Sequence, residues 1–169
     1  MATIQQRAEG VWTLDYPLRI GGIDLGRRVT LLRTGGHKIF IHSTAPFSDE
    51  DRIAILRLGE VVAMMDATVL HDTFAREGQA AFPSAPHLVP PRFPRNAWGP
   101  HTVPITEAPE HCCEGVEFVE LGGLRWIQEF ACYHVASRTL ILADAMVNLT
   151  RSRGWSAWAL KHLGGVRQW

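Results

Sequence analysis

Residues 48–65 decide the fold class of this chain and read Ser48-Asp-Glu-Asp-Arg-Ile-Ala-Ile-Leu-Arg-Leu-Gly-Glu-Val-Val-Ala-Met-Met65. Ser48 is a favourable N-cap, and the three acidic residues after it suit the positive end of a helix. Gly59 is a good stop for that helix. Its apolar face would be formed by Ile53, Leu56 and Leu58. The run of residues 61–65 does not alternate, which is typical of a parallel strand that is buried on both faces.

The chain before this stretch has the pattern of β structure. Residues 27–33 and 37–41 are β-rich runs that are separated by the turn signal Thr34-Gly-Gly36. Two further short strands are predicted at residues 11–14 and 23–25. Together these runs predict a meander.

The chain after this stretch continues the alternation of strands and helices. Residues 68–77 are predicted to form a helix that ends at Gly78, and residues 85–89 a weaker strand. The inward face of this helix would carry Val69, Leu70 and Phe74. Alternating strands and helices between residues 38 and 89 predict right-handed crossovers and a parallel sheet.

A proline-rich loop follows, because eight of the ten prolines lie within residues 83–109. Prolines at this density exclude a helix interior or a central strand, and so predict a long irregular loop that is either disordered or a lid over a binding site. Residues 116–121 alternate as a half-buried strand. The remaining elements are predicted to be two antiparallel strands at residues 126–133 and 138–143, joined around residues 135–136, and a helix at residues 155–163.

The composition describes an ordinary globular protein and excludes several classes. The chain has 169 residues, 17 basic and 17 acidic side chains, and 46% hydrophobic residues. We expect one domain over residues 1–169. The balanced charge gives no surface for nucleic acid or anionic lipid, and no run is long enough to span a bilayer. Three cysteines, of which two are adjacent, fit a reducing compartment, so a cytoplasmic location is predicted.

Polar side chains follow several of the predicted strands. His42 follows the strand at residues 38–41, Asp66 follows the strand at residues 61–65, and His71 and Asp72 come one turn later. Because the carboxyl ends of parallel strands meet at one edge of a sheet, these groups should lie together there. Asp144 joins them if its strand runs the same way. Two imidazoles and several carboxylates would suit zinc, manganese or iron.

The choice between Glu129 and His134 as a further member depends on the hairpin register. Five strand residues at about 3.3 Å each put His134 about 17 Å from Asp144, so the two cannot share a metal. If the hairpin turns at residues 135–136, position 129 faces position 142, and Glu129 lies on the same face as Asp144. Structural roles remain open for all of these residues: turn or cap residues, helix surface, or a solvated strand carboxylate. The loop residues His87, His101, His111, Cys112 and Cys113 lack the paired spacing of a zinc module.

Several segments, taken in order, resemble an uncharacterised family of the metallo-β-lactamase superfamily, a domain of unknown function. They are Arg28–Arg33, Ile41–Ser43, Leu58–Val62, Leu70–Asp72, Phe82–Ala85, Glu129 and His134–Leu140 with Asp144 and Asn148. The resemblance covers most of residues 11–150. It implies an α/β fold, an αβ/βα sandwich of two mixed β-sheets packed face to face and flanked by helices, with an expected truncation at the C-terminus.

The resemblance also implies an altered metal site. Catalytic members of the superfamily carry an HxHxDH motif after the second core strand, whereas this chain has Asp66-Ala-Thr-Val-Leu-His71-Asp72. Asp144 resembles the aspartate that bridges two metals in those enzymes. The histidine expected before the hairpin is replaced by the run Arg125-Trp-Ile-Gln-Glu129, and the last metal histidine has no match. A standard dinuclear zinc site is therefore not expected.

Two hypotheses of function follow. In the first, the chain is a hydrolase of esters, amides or phosphoesters in which one divalent ion is held by His71, Asp72, Asp144 and His42, while Asp66 or Glu129 takes the proton. In the second, the chain has lost the metal and is a non-catalytic binding or assembly module. The tryptophan-rich helix at residues 155–163 is the predicted contact of a homodimer. The partner expected by the first hypothesis is a small-molecule substrate, with neither nucleic acid nor membrane involved.

Overall fold

A computed structural model of the chain describes residues 3–21, 23–123 and 127–145, with only the backbone described at Ile23 and Asp24. Within these ranges the strands are β1 (Gln5–Ala8), β2 (Val11–Tyr16), β3 (Arg19–Ile20), β4 (Ile23–Asp24), β5 (Arg27–Thr34), β6 (Lys38–His42), β7 (Glu60–Met65), β8 (His87–Val89), β9 (Thr102–Pro104), β10 (Val116–Glu120), β11 (Phe130–His134) and β12 (Thr139–Ile141). The helices are α1 (Asp49–Leu56) and α2 (Ala75–Ala81), and 3₁₀ turns lie at Asp72–Phe74, Arg95–Ala97, Ile105–Glu107 and Glu110–Cys112.

The main sheet has seven strands in the order β1-β2-β5-β6-β7-β8-β9. Strands β1, β2, β5 and β6 are antiparallel neighbours, which confirms the predicted meander for residues 11–14, 27–33 and 37–41. The strand predicted at residues 23–25 is not part of it, because β4 pairs with β3 in a separate two-stranded sheet. From β6 to β9 every pair is parallel. The connection through α1 from β6 to β7 therefore forms the predicted crossover, and the carboxyl ends of β6 and β7 meet at one edge.

Side chains alternate between the two faces of the main sheet, and a hydrophobic core covers each face. On β6, Ile39 and Ile41 belong to a core that includes Ile55 of α1 and Phe82 after α2. Phe40 lies on the opposite face, in a core shared with Phe130 of β11. Full burial of a side chain such as Phe40 contributes about 1.5–3 kcal/mol. The main sheet is thus packed against helices on one side and against a second sheet on the other.

The second sheet, β10-β11-β12, is antiparallel throughout the described residues. Its hairpin pairs His134 with Thr139, so the chain turns one residue later than the predicted pivot. Continued by the same register, position 129 faces position 144 rather than 142. Both ring nitrogens of His134 are in contact with the protein and neither is free to bind a metal. Its Nε2 lies 2.8 Å from the carbonyl oxygen of Arg33, and its Nδ1 lies 2.7 Å from Ser137 Oγ. The imidazole therefore links the two sheets.

Helix α1 confirms the predicted cap and corrects the predicted face. The backbone N–H of Asp51 donates to Ser48 Oγ over 3.2 Å, and the N–H of Ser48 donates back to Asp51 Oδ2, which completes a capping box. Ile53 and Leu56 are half exposed, however, while Ile55 and Asp51 are buried. The hydroxyl of Tyr16 donates to Asp51 over 3.0 Å, and this buried bond holds Asp51 inward while Asp49 and Glu50 stay exposed.

The second helix begins later than predicted, at Ala75, because residues 67–69 pair with the second sheet instead. The N–H of Phe130 donates to the carbonyl of Ala67 over 2.9 Å, and Thr68 bridges Glu129. These tertiary bonds override the local helical pattern, and Leu70 is exposed rather than inward. Gly78, the predicted stop, lies inside α2, where a Cβ atom would come within 2.6 Å of Thr44 Cβ.

The proline-rich segment contributes two strands: β8 lies within the strand predicted at residues 85–89, and β9 corrects the prediction that the rest is irregular. Strand β8, the predicted weak strand, contains no proline and lies between β7 and β9. Strand β9 lies at the edge of the sheet and ends at Pro104, a position where the missing N–H costs little. Within the described ranges, no helix is long and apolar enough to cross a membrane. The predicted helix at residues 155–163, Trp126 and Asn148 lie outside the described residues.

Candidate functional site

The carboxyl ends of β6 and β7 bring together a buried set of polar groups. His42 is the Cα partner of Met65, so that Asp66 leaves β7 directly beside the chain that leaves β6. The N–H of Ser43 donates to the carbonyl of Met65 over 2.7 Å. Both His42 and Asp66 are almost completely buried. The parallel crossover predicted from sequence is what places them at one edge.

Asp66 is the centre of a saturated hydrogen-bond network. Its Oδ1 accepts a bond from an Arg27 guanidinium nitrogen over 2.7 Å and from the N–H of Thr44 over 3.0 Å. Its Oδ2 accepts a bond from the Thr44 hydroxyl over 2.7 Å and lies 2.9 Å from His87 Nε2. Arg27 also donates through Nε to the carbonyl of Thr44 over 2.9 Å. The carboxylate therefore joins the ends of β5, β6 and β7 to β8.

The charge of Asp66 is fixed by its partners. Burial alone would raise the pKa of the carboxyl, but the bond from His87 and the nearby Arg27 guanidinium hold that pKa well below its ordinary value. Because Asp66 is an acceptor, His87 carries its proton on Nε2. An ionised, fully hydrogen-bonded and inaccessible carboxylate is poorly suited to take a proton from water. This geometry gives Asp66 a structural role, whereas the sequence hypothesis made it a catalytic candidate.

Ser43 shapes the backbone beside this network. It is a buried residue with φ of 77°, in the left-handed region that disfavours side chains other than glycine. Holding such a conformation costs on the order of 1–3 kcal/mol. The twist lets both the N–H and the hydroxyl of Thr44 reach the same carboxylate. The hydrogen bonds to Asp66 thus offset the cost of the Ser43 conformation.

The second feature is a contact between His71 and Asp144. Asp144 follows β12 of the second sheet and not a parallel strand of the main sheet, which corrects the prediction that their strands share one edge. His71 Nε2 lies 3.4 Å from Asp144 Oδ1, and the two side chains are 16% and 27% exposed. Burial raises the pKa of Asp144, but hydrogen bonds from His71 and Thr68, with the charge of Arg27, bring it below the ordinary value. The carboxylate is therefore ionised at neutral pH. His71 Nδ1 and Asp144 Oδ2 are shielded and lack a hydrogen-bond partner in the described part of the chain.

His42 lies beneath this pair as a neutral imidazole. Its Nδ1 is 3.3 Å from Ser43 Oγ, and its Nε2 is buried without a partner among the described residues. Burial, followed by the neighbouring His71 ring, lowers the pKa of His42 to about 3. Arg27 acts in the same direction, while Asp66 opposes it.

Glu129 is fully buried and binds backbone amides. Its Oε1 accepts a bond from the N–H of Ala143 over 2.9 Å. Its Oε2 accepts bonds from the N–H groups of Asp144 and Ala145 over 2.9 and 2.7 Å. Sequence reasoning placed Glu129 beside Asp144, and the carboxylate does reach that segment. It holds the backbone that positions Asp144, and its full burial keeps it from water.

The remaining candidate, Asp72, begins the 3₁₀ turn at residues 72–74 and is half buried. Its carboxylate makes no hydrogen bond to another described residue. No group of three or more His, Cys, Asp or Glu side chains that could hold a metal ion occurs in residues 3–21, 23–123 and 127–145. Of the predicted ligands, only His71 and Asp144 touch. Because two contacting side chains are fewer than a metal ion needs, the described residues do not form a ready-made metal site.

Sequence reasoning missed Arg27, Thr44 and His87. Arg27 begins β5 and is followed by Arg28, and nothing in that pair says which guanidinium turns inward. Thr44 follows the predicted strand by two residues, a position that is ordinary in a loop. His87 had been grouped with the loop residues, although its place inside the predicted strand at residues 85–89 was a signal that it faces the core.

No family model matches the chain, and no curated protein matches it significantly. Solved structures do match, and they are metallo-β-lactamases. The enzyme from Hirschia baltica superposes with a TM-score of 0.65 at 12% identity, over 97% of this chain and 84% of that one. The enzyme from Pontibacter korlensis gives 0.62 at 14% identity, over 98% and 86%. The DIM-1 metallo-β-lactamase gives 0.65 at 16% identity, over 94% and 75%.

These likenesses extend over nearly the whole chain, and at this level of identity they show the fold alone. The chain has the metallo-β-lactamase fold, an α/β sandwich, as the sequence resemblance implied. Because one fold carries many chemistries, the activity has to be argued from the site.

Proposed function

We propose, from the premise of the metallo-β-lactamase fold, that this chain is a hydrolase in which His71 and Asp144 activate water for attack on a small ester, amide or phosphoester. The observation that carries the proposal is the contact of 3.4 Å between His71 Nε2 and Asp144 Oδ1. It joins an ionised carboxylate to an imidazole at the edge where open α/β sheets bind ligands.

The chemistry assigned to the pair is general base catalysis. Asp144 accepts the Nε2–H of His71, which fixes the tautomer and leaves the Nδ1 lone pair to take a proton from water. Glu129 holds the backbone of residues 143–145, and so holds Asp144 in position. Since Nδ1 is shielded in this structure, catalysis requires the residues that cover it to move when substrate enters.

A divalent ion does not enter this proposal. The single-ion hypothesis needs three or four donors around one point, and of the four ligands that it assigns only His71 and Asp144 are in contact. The fold neighbour from Erythrobacter litoralis was solved in a mono-zinc form, which is a property of that protein. We therefore expect catalysis here to persist after removal of divalent ions.

The experiment compares hydrolysis of p-nitrophenyl acetate, an anilide and bis(p-nitrophenyl) phosphate by the whole chain and its variants. His71→Ala and Asp144→Asn should each lower kcat by about 10²–10⁴, the usual worth of a positioned base. Asp72→Asn, a half-buried carboxylate beside His71 with no such contact, is the matched control and should retain activity. Unchanged turnover in both variants would contradict the proposal.

Metal content is measured on the same samples, as isolated and after dialysis against zinc, manganese and iron(II). We expect no stoichiometric ion and full activity after chelation. One tightly bound ion per chain that is lost in Asp144→Ala would contradict the metal-free mechanism and restore the single-ion hydrolase.

The second candidate is a non-catalytic binding module. The observation that favours it is the saturation of Asp66 and Glu129, since both carboxylates serve structure. It predicts no turnover of any of the three substrates by a protein that is folded. If no turnover is seen, the contact between His71 and Asp144 has only a structural role and the hydrolase proposal fails.

A further inference from the structure

The three cysteines of the chain gather at one place in the sandwich. Cys112 ends the 3₁₀ turn Glu110–Cys112, Cys113 follows it, and Cys132 lies in the middle of β11. All three thiols are free. The sulfur atoms of Cys112 and Cys113 are 3.8 Å apart. They lie in or against the core between the two sheets, apart from the His71–Asp144 pair.

The three thiols differ in environment. Cys112 is buried and its Sγ donates to the carbonyl of Pro109 over 3.0 Å, whereas Cys113 is partly buried. The bond from the Cys113 thiol lowers the pKa of Cys112, while the pKa of Cys113 itself is raised by its bond to Cys112 and by burial. Burial raises the pKa of Cys132 to about 12. Cys112 is therefore the thiol that ionises most readily.

Access to the pair is open on one side. Glu110, His111, Glu114 and Gly115 are exposed around it, and the segment contains no strand that would have to break. Cys132 is different, because its strand is hydrogen-bonded to β10 on one side and to β12 on the other. Cys112 is buried, so an oxidant approaches the pair past the partly buried Cys113, and this approach breaks no strand pairing of the sheet.

We propose that Cys112 and Cys113 are a peroxide-reactive dithiol that closes to a disulfide between neighbouring residues. In the first step the Cys112 thiolate attacks one oxygen of hydrogen peroxide, the O–O bond breaks, a sulfenic acid forms and hydroxide leaves. In the second step the sulfur of Cys113 attacks the sulfenic sulfur, the S–S bond forms, and water leaves with the thiol proton. Two thiols are oxidised and one peroxide is reduced to two waters.

The geometry also implies that the disulfide is reversible. Neighbouring Cα atoms are about 3.8 Å apart, which is shorter than the usual span of a disulfide. A bond formed under this constraint is strained and more easily reduced by glutathione. This fits a chain in a reducing compartment, where disulfides are transient and redox-sensing rather than structural.

The test treats the whole folded chain with hydrogen peroxide and follows the intact mass and free thiols. We expect the loss of two hydrogens and two thiols, a Cys112–Cys113 linkage on peptide mapping, and full recovery with dithiothreitol. Cys132→Ser, the matched control, should give the same product. Cys113→Ser should stop the reaction at a sulfenic acid that dimedone traps at Cys112.

Two results would overturn the proposal. One is a disulfide that includes Cys132. The other is protection of all three thiols until urea unfolds the chain, which would make the cluster a part of the core and nothing more. Circular dichroism of each variant shows whether it is folded, and Cys112→Ala, which should form no disulfide, supplies a second variant if Cys113→Ser is unstable.

Discussion

Arg27 and Arg28 are neighbours on β5, yet their guanidinium groups have opposite surroundings. Arg27 is 4% exposed and contacts a fully buried Asp66, whereas Arg28 is 52% exposed and pairs with Asp15. Removing one partner of a buried pair leaves an uncompensated charge, so Arg27→Met should lower the free energy of unfolding by about 3–5 kcal/mol. An exposed pair contributes little, and Arg28→Met should cost about 0–1 kcal/mol.

Urea unfolding of both variants measures the difference. A double variant that also carries Asp66→Asn should be less destabilised than the sum of the two single changes, because the two groups interact directly. Equal effects of Arg27→Met and Arg28→Met would show that the buried pair does not hold the strand ends together.

Glu129 supports a second residue-scale prediction. Its buried carboxylate accepts three backbone N–H groups, so Glu129→Gln replaces one acceptor oxygen with a donor that faces an N–H. We expect a loss of about 2–3 kcal/mol of stability, in the range for charge-assisted bonds and unpaired buried donors. Glu117→Gln, an exposed change on β10, should stay within about 0.5 kcal/mol. Chemical denaturation at pH 7 measures both, and a loss below 1 kcal/mol for Glu129→Gln would contradict this role.

At the residue scale the sequence predicted which groups would gather but not what they would bond to. His42, Asp66 and His71 lie at the ends of β6 and β7 because that strand order is readable from pattern, whereas Asp144 reaches His71 from the second sheet. Whether Asp66 stays free depends on Arg27, Thr44 and His87, which come from three separate places in the chain. That information lies in side-chain packing, which no spacing in the sequence encodes.

At the scale of secondary-structure elements, the prediction concerns Gly78 in α2. Within a helix, alanine is favoured over glycine by about 1 kcal/mol, so propensity alone predicts that Gly78→Ala stabilises α2. A Cβ atom there would come within 2.6 Å of Thr44 Cβ and 2.7 Å of Thr44 Cγ2. Since Thr44 donates twice to Asp66, the helix or that network has to shift. We expect Gly78→Ala to lower the melting temperature, while Gly122→Ala, with no atom within 4 Å, leaves it unchanged.

A rise in melting temperature for Gly78→Ala would mean that α2 can move away from Thr44 at no cost. The same close contact explains why the sequence misplaced this helix. Gly78 is a good stop by local rules, and only the packing of α2 on the β6–β7 edge makes it an interior residue. The strands were predicted more accurately than the helices, because alternation and β-branched runs survive tertiary packing.

At the scale of the whole molecule, the main sheet separates two cores, and the site lies where its parallel half ends. The alternation of strands and helices predicted the parallel half of the main sheet, whereas the two-sheet sandwich was implied by the family resemblance. The cytoplasmic location and the homodimer through residues 155–163 stay predictions. Sedimentation of the whole chain beside a Trp155→Ala, Trp158→Ala variant would test the dimer.

The free energy of unfolding of the whole molecule should decrease as the pH is lowered, and the pKa of His42 sets the pH range of this decrease. Its pKa is lowered to about 3 in the folded chain, mainly by burial and then by His71, against about 6.5 when unfolded. Below pH 6.5 the unfolded chain takes up a proton that the folded chain refuses. The free energy of unfolding is therefore not reduced by this group above pH 6.5, and it decreases as the pH falls from 6.5 towards 3. Asp66 also has a lowered pKa, but its contribution is lost only below about pH 4.

Urea unfolding at pH 7, 6, 5 and 4.5 separates the two groups, because only the histidine effect operates in that range. The free energy of unfolding of the native chain should fall by up to about 1.4 kcal/mol per pH unit from this residue. His42→Gln should remove that part of the slope, even though it lowers stability at pH 7. His111→Gln, an exposed change, should leave the slope as it is. A slope that His42→Gln does not alter would mean that the buried imidazole can be protonated in the folded chain, and the neutral state argued for this edge would be wrong.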